Sequence, residues 1–591
     1  MIYQQILAKF PKNAKAIQGY QRLKSGINPQ ISSNEEVPKE KLLELVNLCK
    51  IQKYAEVLSE PEEIIKRYPK SCRVLNVVGV ANSALGKYEI AIDIYLKALK
   101  ISPEDSEVYN NLGNALRRKG DPDAAIENYQ KAMKFQPSNA VTYNNLGLAL
   151  VDKKQFDTAV KYYRKSLKIK PGCAETYFNI GSALVEKGDL DPAIHNLQKA
   201  LQIMPSHDKS CNNMGAALRA KGELRAAIKS YDRAIEINPK HVGARYNKSM
   251  LLLNLEDFKM GWPAYEYRWK KSKLDSVPVI SSRPKWRLGD QGKVLVWGEQ
   301  GIGDEIMFSS LIPDLHKACS QLIVKADKRL IPILRRSFPK DIAFCESDTS
   351  VSEGDYDAHI AMGSLPLHFR PNIESFKTAA QGYLSADGKR AAVLRDRLLS
   401  DGSKILIGLS WQSTSKIRDA QKRTIFLGQL ARTFQAENVK FVSLQYGDMG
   451  DEINRVRQDH GIDVAQMDQI DNFNDIDGLA ALITACDRIV SIDNVTVHLA
   501  GALGKEIDAL LPRVSNWRWG IHPHNSYLYN SVRLRRQTER EDWAEVLAQI
   551  SQCGCDFPEY SAGYSTGCPK PVRSIEPNYR NRWDNGACQY L

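Results

Sequence analysis

Residues 489–504 read IVSIDNVTVHLAGALG. The run ending at Ile492 is apolar and β-branched, which suits a buried strand. Asp493 and Asn494 break it, and a helix-prone stretch then closes on Gly504. Strand, polar turn and helix start together present free backbone N–H groups and a positive dipole end to an anion. In an open parallel sheet such a turn lies at the carboxyl ends of the strands, where ligands bind. An ordinary strand-to-helix turn capped by Asp or Asn has the same local look. The surrounding chain decides between the two.

Working outward, the pattern of short apolar run and helix-length stretch repeats. KVLVWG, QLIVKAD, DIAFCES and DAHIAMG follow Gly292, and ILIGLSW, VKFVSLQ and EIDALLP flank the central strand. Strands alternating with helices predict parallel α/β sheets. Two such halves, 273–400 and 401–550, predict two Rossmann-like domains facing one another across a cleft. The stretch Ser385–Ser403 between them reads as a polar, flexible segment.

Upstream the period changes. Pro69, Pro103, Pro137, Pro171, Pro205 and Pro239 are each 34 residues apart. Gly113, Gly147, Gly181 and Gly215 recur in the first helix of each unit, and Ala125, Ala159, Ala193 and Ala227 in the second. Small residues let paired helices approach, while Tyr129, Tyr163 and Tyr231 fill the space between. This pattern resembles the tetratricopeptide repeat, or TPR, and predicts an α-helical superhelix over residues 1–272, with degenerate units first and a loop at Ser32–Val37. At its end Trp262, Tyr265, Tyr267 and Trp269 lie at helical spacing, as a docking stripe for the next domain.

Composition narrows the class. The chain has 591 residues, 43% apolar and 26% charged, as in folded soluble proteins. The net charge of +13 forms no basic arm and suits anionic small substrates better than nucleic acid. MIYQQILAKFPKNAKA lacks a signal-peptide core and no apolar run reaches membrane-helix length, so the expected compartment is the cytoplasm. Eleven cysteines follow no disulfide or zinc-finger framework. In the tail, 551–591, Cys553, Cys555, Cys568 and Cys588 are unevenly spaced for a zinc site, against which stands a loose extension.

At GEQGIGDEIMFSSLIPDL (298–315), SLQYGD (443–448), SIDNVTVHLAGALG (491–504) and NWRWG (516–520) the chain resembles bacterial TPR-linked glycosyltransferases. Their catalytic part is similar to the family 9 heptosyltransferases. The resemblance spans about residues 240–550 and implies the GT-B fold, inverting transfer without a metal or other cofactor, donor binding in the second half and acceptor binding in the first. The order of domains also resembles that of O-GlcNAc transferase.

Three sites follow from the resemblance. Gly301 and Gly303 form an acceptor-side loop, and Asp304 stands where heptosyltransferases carry their proposed general base, taking the acceptor hydroxyl's proton. A first-turn Asp that offsets the helix dipole has the same sequence. The loop 412–423, QSTSKIRDAQKR, carries Lys416, Arg418, Lys422 and Arg423, and Thr414 and Lys422 are the nearest matches to residues that hold the donor's phosphates. A solvated basic loop is the plainer reading. Gln445, Asp493, Asn494, Thr496 and His498 complete the donor set, though the family's glycine is Val495 here. His498 either donates to the diphosphate or packs and orients the turn.

Asn111, Asn145, Asn179, Asn213 and Asn247 are also 34 residues apart. On the first helix of five consecutive repeats, they are placed to hold an extended acceptor peptide by its backbone amides, or to tie one helix to the next. The function expected is thus transfer of a sugar from a nucleotide-sugar donor to a protein in the TPR groove. The alternative is a non-catalytic TPR scaffold with a degenerate α/β module.

Overall fold

The computed structural model describes residues 37–58, 67–271, 276–377, 382–413, 423–434, 438–538 and 542–552. Among them the chain divides into two compact units, 37–252 with 263–271, and 253–262 with 276–552.

The first unit is a series of helix pairs: Cys72–Ala84 with Tyr88–Ile101, Ser106–Lys119 with Pro122–Phe135, Ala140–Asp152 with Phe156–Ile169, Ala174–Lys187 with Leu190–Ile203, and Asp208–Lys221 with Leu224–Ile237. Sequence punctuation sets their ends. Asp105 and Asp121 cap helix starts with their carboxylates, Pro122 sits at a first turn, and Gly120 ends a helix in the left-handed conformation at φ 101°. The glycine–tyrosine pattern has a steric cause. A Cβ on Gly113 would lie 2.6 Å from the Tyr129 ring, and Gly147 and Gly215 stand in the same relation to Tyr163 and Tyr231. Lysines then bind successive units, Lys119 to Glu89, Lys187 to Asp157 and Lys221 to Asp191.

The aromatic stripe does not act as one surface. Tyr265 stacks on Tyr246 in the first unit, where Arg268 covers both Tyr265 and Trp269. Trp262 belongs to the second unit, donating to the Arg370 carbonyl at 2.8 Å and meeting Trp517 edge-on.

The second unit holds two wholly parallel sheets. The first contains β1 (Lys293–Trp297), β2 (Gln321–Ala326), β3 (Ala343–Glu346) and β4 (Ala358–Ala361), in the order β3-β2-β1-β4. The second contains β5 (Ile405–Ser410), β6 (Val439–Ser443), β7 (Val464–Ala465), β8 (Arg488–Ile492), β9 (Ile507–Leu511) and β10 (Val532–Arg536), in the order β10-β9-β8-β5-β6-β7. The helices that matter below are α1 (Ile302–Ser309) after β1, α2 (Gly388–Leu398), α3 (Ile476–Ala485) before β8, and α4 (Val495–Ala502) after it. This is the α/β module expected from the alternation.

The stretch Ser385–Ser403 is not a flexible segment; α2 occupies most of it. Asp387 caps that helix by accepting from the Lys389 and Arg390 amides, and Ala391, Leu394 and Leu398 recur at helical spacing and are buried. α2 lies within the half expected to end at residue 400, yet packs on α3 of the second sheet, through Arg390 to Asp475 and Arg395 to the Ala485 carbonyl. The backbone at Tyr383 and Leu384 joins the same layer, both amides donating to the Ala502 carbonyl. Among the described residues no helix is long and apolar enough to cross a membrane.

Candidate functional site

The loops after β1 and β8 meet. A Cβ on Gly303 would lie 3.3 Å from Cδ2 of His498 and 4.0 Å from Cα of Val495, so the glycine lets the starts of α1 and α4 approach. Gly301 has another role: a Cβ there would meet nothing nearer than Asp304 Oδ2, at 4.0 Å, and the space beside it stays open. Asp304, in the first turn of α1, is gripped by Arg518, whose Nε at 3.1 Å and second terminal nitrogen both donate to Oδ1. Both side chains are largely buried.

The β8 turn is built with the same economy of partners. Asn494 caps α4 by accepting from the Thr496 amide at 2.9 Å, and its amide group donates to Ser410 Oγ at the end of β5 at 2.8 Å. Asp493 accepts from Trp519 Nε1 at 2.8 Å on one oxygen and from Arg423 at 3.0 Å on the other, and Arg423 also reaches the Asp493 carbonyl. Gln445, at the end of β6, accepts from the amides of Trp411 and Gln412 and from Ser410 Oγ, fixing the exit of β5. Gln445 and Asn494, expected to hold a donor directly, therefore spend their amides on shaping the loops. Thr496 is fully buried and its hydroxyl has no partner among the described residues, so it does not line the cleft. Thr414 and Lys422 lie outside the described residues, as do the tail cysteines.

His498 is a packed histidine. Nδ1 lies 3.1 Å from the Tyr529 hydroxyl, the ring stacks on Trp519 at 5.1 Å between centroids, and 5% of the residue is exposed. Burial, aided by the Arg518 charge, lowers its pKa to about 4, so the ring is neutral near pH 7 and brings no positive charge to an anion. The cations at this place are Arg423 and Arg518 instead. Arg518 was legible only as the middle of NWRWG; its pairing with Asp304 joins residues 214 apart in the chain.

A cavity of about 540 Å³ opens at the carboxyl end of the first sheet, lined in part by Trp297, Glu299, Glu305, Lys325, Glu353 and Tyr356 and not by Asp304. Glu305 accepts from the Asp327 amide at 2.8 Å. Burial pushes its pKa up to about 7, with the Asp327 and Asp304 charges adding to the rise.

In the first unit each asparagine of the 34-residue series donates back to the preceding repeat. Asn111 reaches Asn76, Asn145 reaches Asn110, Asn179 reaches Asn144 and Asn247 reaches Asn212, each at 3.0 Å. Asn213 reaches Ser182 at 2.7 Å. One N–H of each carboxamide expected to meet a peptide thus ties helix to helix.

Residues 71–138, 104–172 and 138–206 match one tetratricopeptide repeat model, and 209–241 match another. The helix pairs are tetratricopeptide repeats. Over 332 residues the chain is 28% identical to Protein FlbA of Caulobacter vibrioides, an alignment covering 53% of this chain and 55% of that protein. The chain thus spans about half the length of the curated relative it matches. Among solved structures it is similar to MamA, at 26% identity over 28% of this chain and 95% of that one, with a TM-score of 0.26. It is also similar to TTC0263, a TPR protein of Thermus thermophilus, at 23% identity over 31% of this chain and all of that one, with a TM-score of 0.28.

Proposed function

We propose that the second unit is an inverting, metal-independent glycosyltransferase of the GT-B type, similar to the heptosyltransferases, acting on a protein brought by the repeats. The observation that carries this reading is the meeting of two strand-end loops. The start of α1, which carries Asp304, meets the start of α4 where Gly303 approaches His498 and Val495, and Arg518 from the loop after β9 holds Asp304. One side offers a carboxylate to take a hydroxyl proton. The other offers a helix start and two arginines to a leaving diphosphate. The cavity that Glu305 lines has the size of a small-ligand site and is offered to the acceptor group.

The test is a thermal-shift screen against UDP-, GDP-, ADP- and CMP-sugars, followed by a turnover assay with the donor that stabilises. A donor-specific shift and transfer to protein support the reading; no shift and no turnover with any donor overturn it. A second reading, a scaffold for protein assembly, is favoured by Val495 in place of a glycine and by the two arginines being already ion-paired to Asp304 and Asp493.

A further inference from the structure

Counting charge at the meeting loops leads to a question about partners. Asp304 and Asp493 are balanced by Arg518 and Arg423, and His498 is neutral. A diphosphate arriving there brings about two negative charges, and a desolvated anion must find cations or stay in water.

The two arginines are not equivalent. Arg423 is bonded to both the side chain and the carbonyl of Asp493, whose remaining oxygen is held by Trp519. That pair builds the turn. Arg518 instead reaches from the loop after β9 to the loop after β1, with two nitrogens on a single oxygen of Asp304. Its own backbone is well anchored. Trp517 and Trp519 on either side are buried, Asn254 reaches the Asn516 and Gly520 carbonyls, and Arg536 reaches those of Trp519 and Gly520. The Arg518 guanidinium also lies over the Trp517 ring, 5.1 Å from its centroid.

The same contact bears on chemistry. Both guanidinium nitrogens sit on Oδ1, which leaves Oδ2, toward the open space beside Gly301, as the oxygen that can meet a hydroxyl. We infer that Arg518 is an exchange residue: it holds Oδ1 of Asp304 until a donor's diphosphate arrives and then turns to that diphosphate. This inference rests on the glycosyltransferase reading and names the residue that receives the donor's diphosphate. Arg518 is a positioning residue toward Asp304 and a binding residue toward the diphosphate.

The exchange predicts opposite signs for the two halves of one ion pair. With UDP, GDP, ADP and CDP as probes in titration calorimetry on the full chain, Arg518→Gln should weaken the nucleotide that binds by about tenfold, the loss of one charge-assisted contact. Asp304→Asn should tighten it, about threefold to tenfold, because Arg518 no longer has to leave a carboxylate. The double variant should behave as Arg518→Gln, and Arg518→Lys should recover part of the loss. A pair that only supports the fold moves both single variants in the same direction, so Asp304→Asn binding as wild type does, or more weakly, overturns the exchange. If none of the four nucleotides binds wild type or Asp304→Asn, the glycosyltransferase reading itself fails.

Discussion

Trp519 donates its indole N–H to Oδ1 of Asp493 at 2.8 Å. The same ring stacks on His498, and it is fully buried. One side chain therefore orients both polar ends of the β8 turn. Trp519→Phe keeps the stack and removes the donor, leaving an oxygen of a 6%-exposed carboxylate without that bond. The expected cost is about 1.5–3 kcal/mol, the range for a hydrogen bond to a charged group. Seven of the nine tryptophans lie among the described residues of the second unit, so urea unfolding followed by tryptophan fluorescence reports mainly on it. An unchanged midpoint would mean that Arg423 alone holds Asp493.

Two buried groups near Asp304 give opposite pH dependences. Glu305 is raised from 4.5 to about 7, so the folded chain holds its proton more tightly than the unfolded one. Its contribution is complete below pH 4.5 and is lost as pH rises through 7. His498 is lowered from 6.5 to about 4, so its contribution is complete above pH 6.5 and is lost as pH falls toward 4. Glu305→Gln keeps an acceptor for the Asp327 amide and has no proton to lose. Relative to wild type it should gain up to about 3 kcal/mol between about pH 5 and pH 8. His498→Asn should flatten the loss between pH 6.5 and 4. Denaturant midpoints across pH check both, and parallel curves for wild type and Glu305→Gln would place that carboxyl in contact with water.

Glycine in a helix normally weakens it by about 1 kcal/mol against alanine, so Gly→Ala is expected to stabilise where there is room. Gly243 has room: its nearest neighbour is a His241 ring atom 3.4 Å from the added Cβ. Gly113 has none, with the Tyr129 ring at 2.6 Å. Overpacking costs about 1–3 kcal/mol, more than the propensity gain. Gly243→Ala should therefore raise the array's melting temperature slightly and Gly113→Ala should lower it, read by far-ultraviolet circular dichroism.

What the sequence makes legible here is local, and what it hides is long-range. The strands β1 to β6, β8 and β9 fall in the short, largely apolar runs that alternate with helix-length stretches. β7 is two residues long, and β10, VRLRR, alternates apolar residues with arginine and so lacks a continuous apolar run. Its pattern makes sense only once Arg535 is seen beside Asp508 of β9, which Arg488 of β8 also grips. α2 is hidden because its mostly charged surface outweighs three buried positions. At the site, Asp493 stands out as the polar residue ending an apolar strand, and Asp304 as the acid that follows a glycine loop after one. Their arginine partners do not, since ion pairs 214 and 70 residues apart leave no trace in spacing. His498 misleads for a related reason: its burial comes from Trp519 and Tyr529, two residues of later loops.

The asparagine series separates repeat packing from peptide binding. Five side chains recur at the same place on five first helices, and each sends its N–H group to the repeat before it. Such bonds, between half-buried neutral groups, contribute about 1 kcal/mol each. In a repeat protein, interface terms of this kind set how cooperatively neighbours unfold. Replacing Asn145, Asn179 and Asn213 together by Ala should cost the array about 3 kcal/mol and broaden its unfolding transition. Second-unit tryptophan fluorescence should unfold at an unchanged midpoint, and donor affinity should stay at the wild-type value. The acceptor separates the two roles. If the series serves only packing, KM for a protein acceptor at a temperature well below the transition stays within about twofold of wild type, since small differences in binding free energy translate into such factors. A large rise in KM with the array still folded would mean that the second N–H and the carbonyl of these carboxamides, the groups not used between repeats, hold the polypeptide.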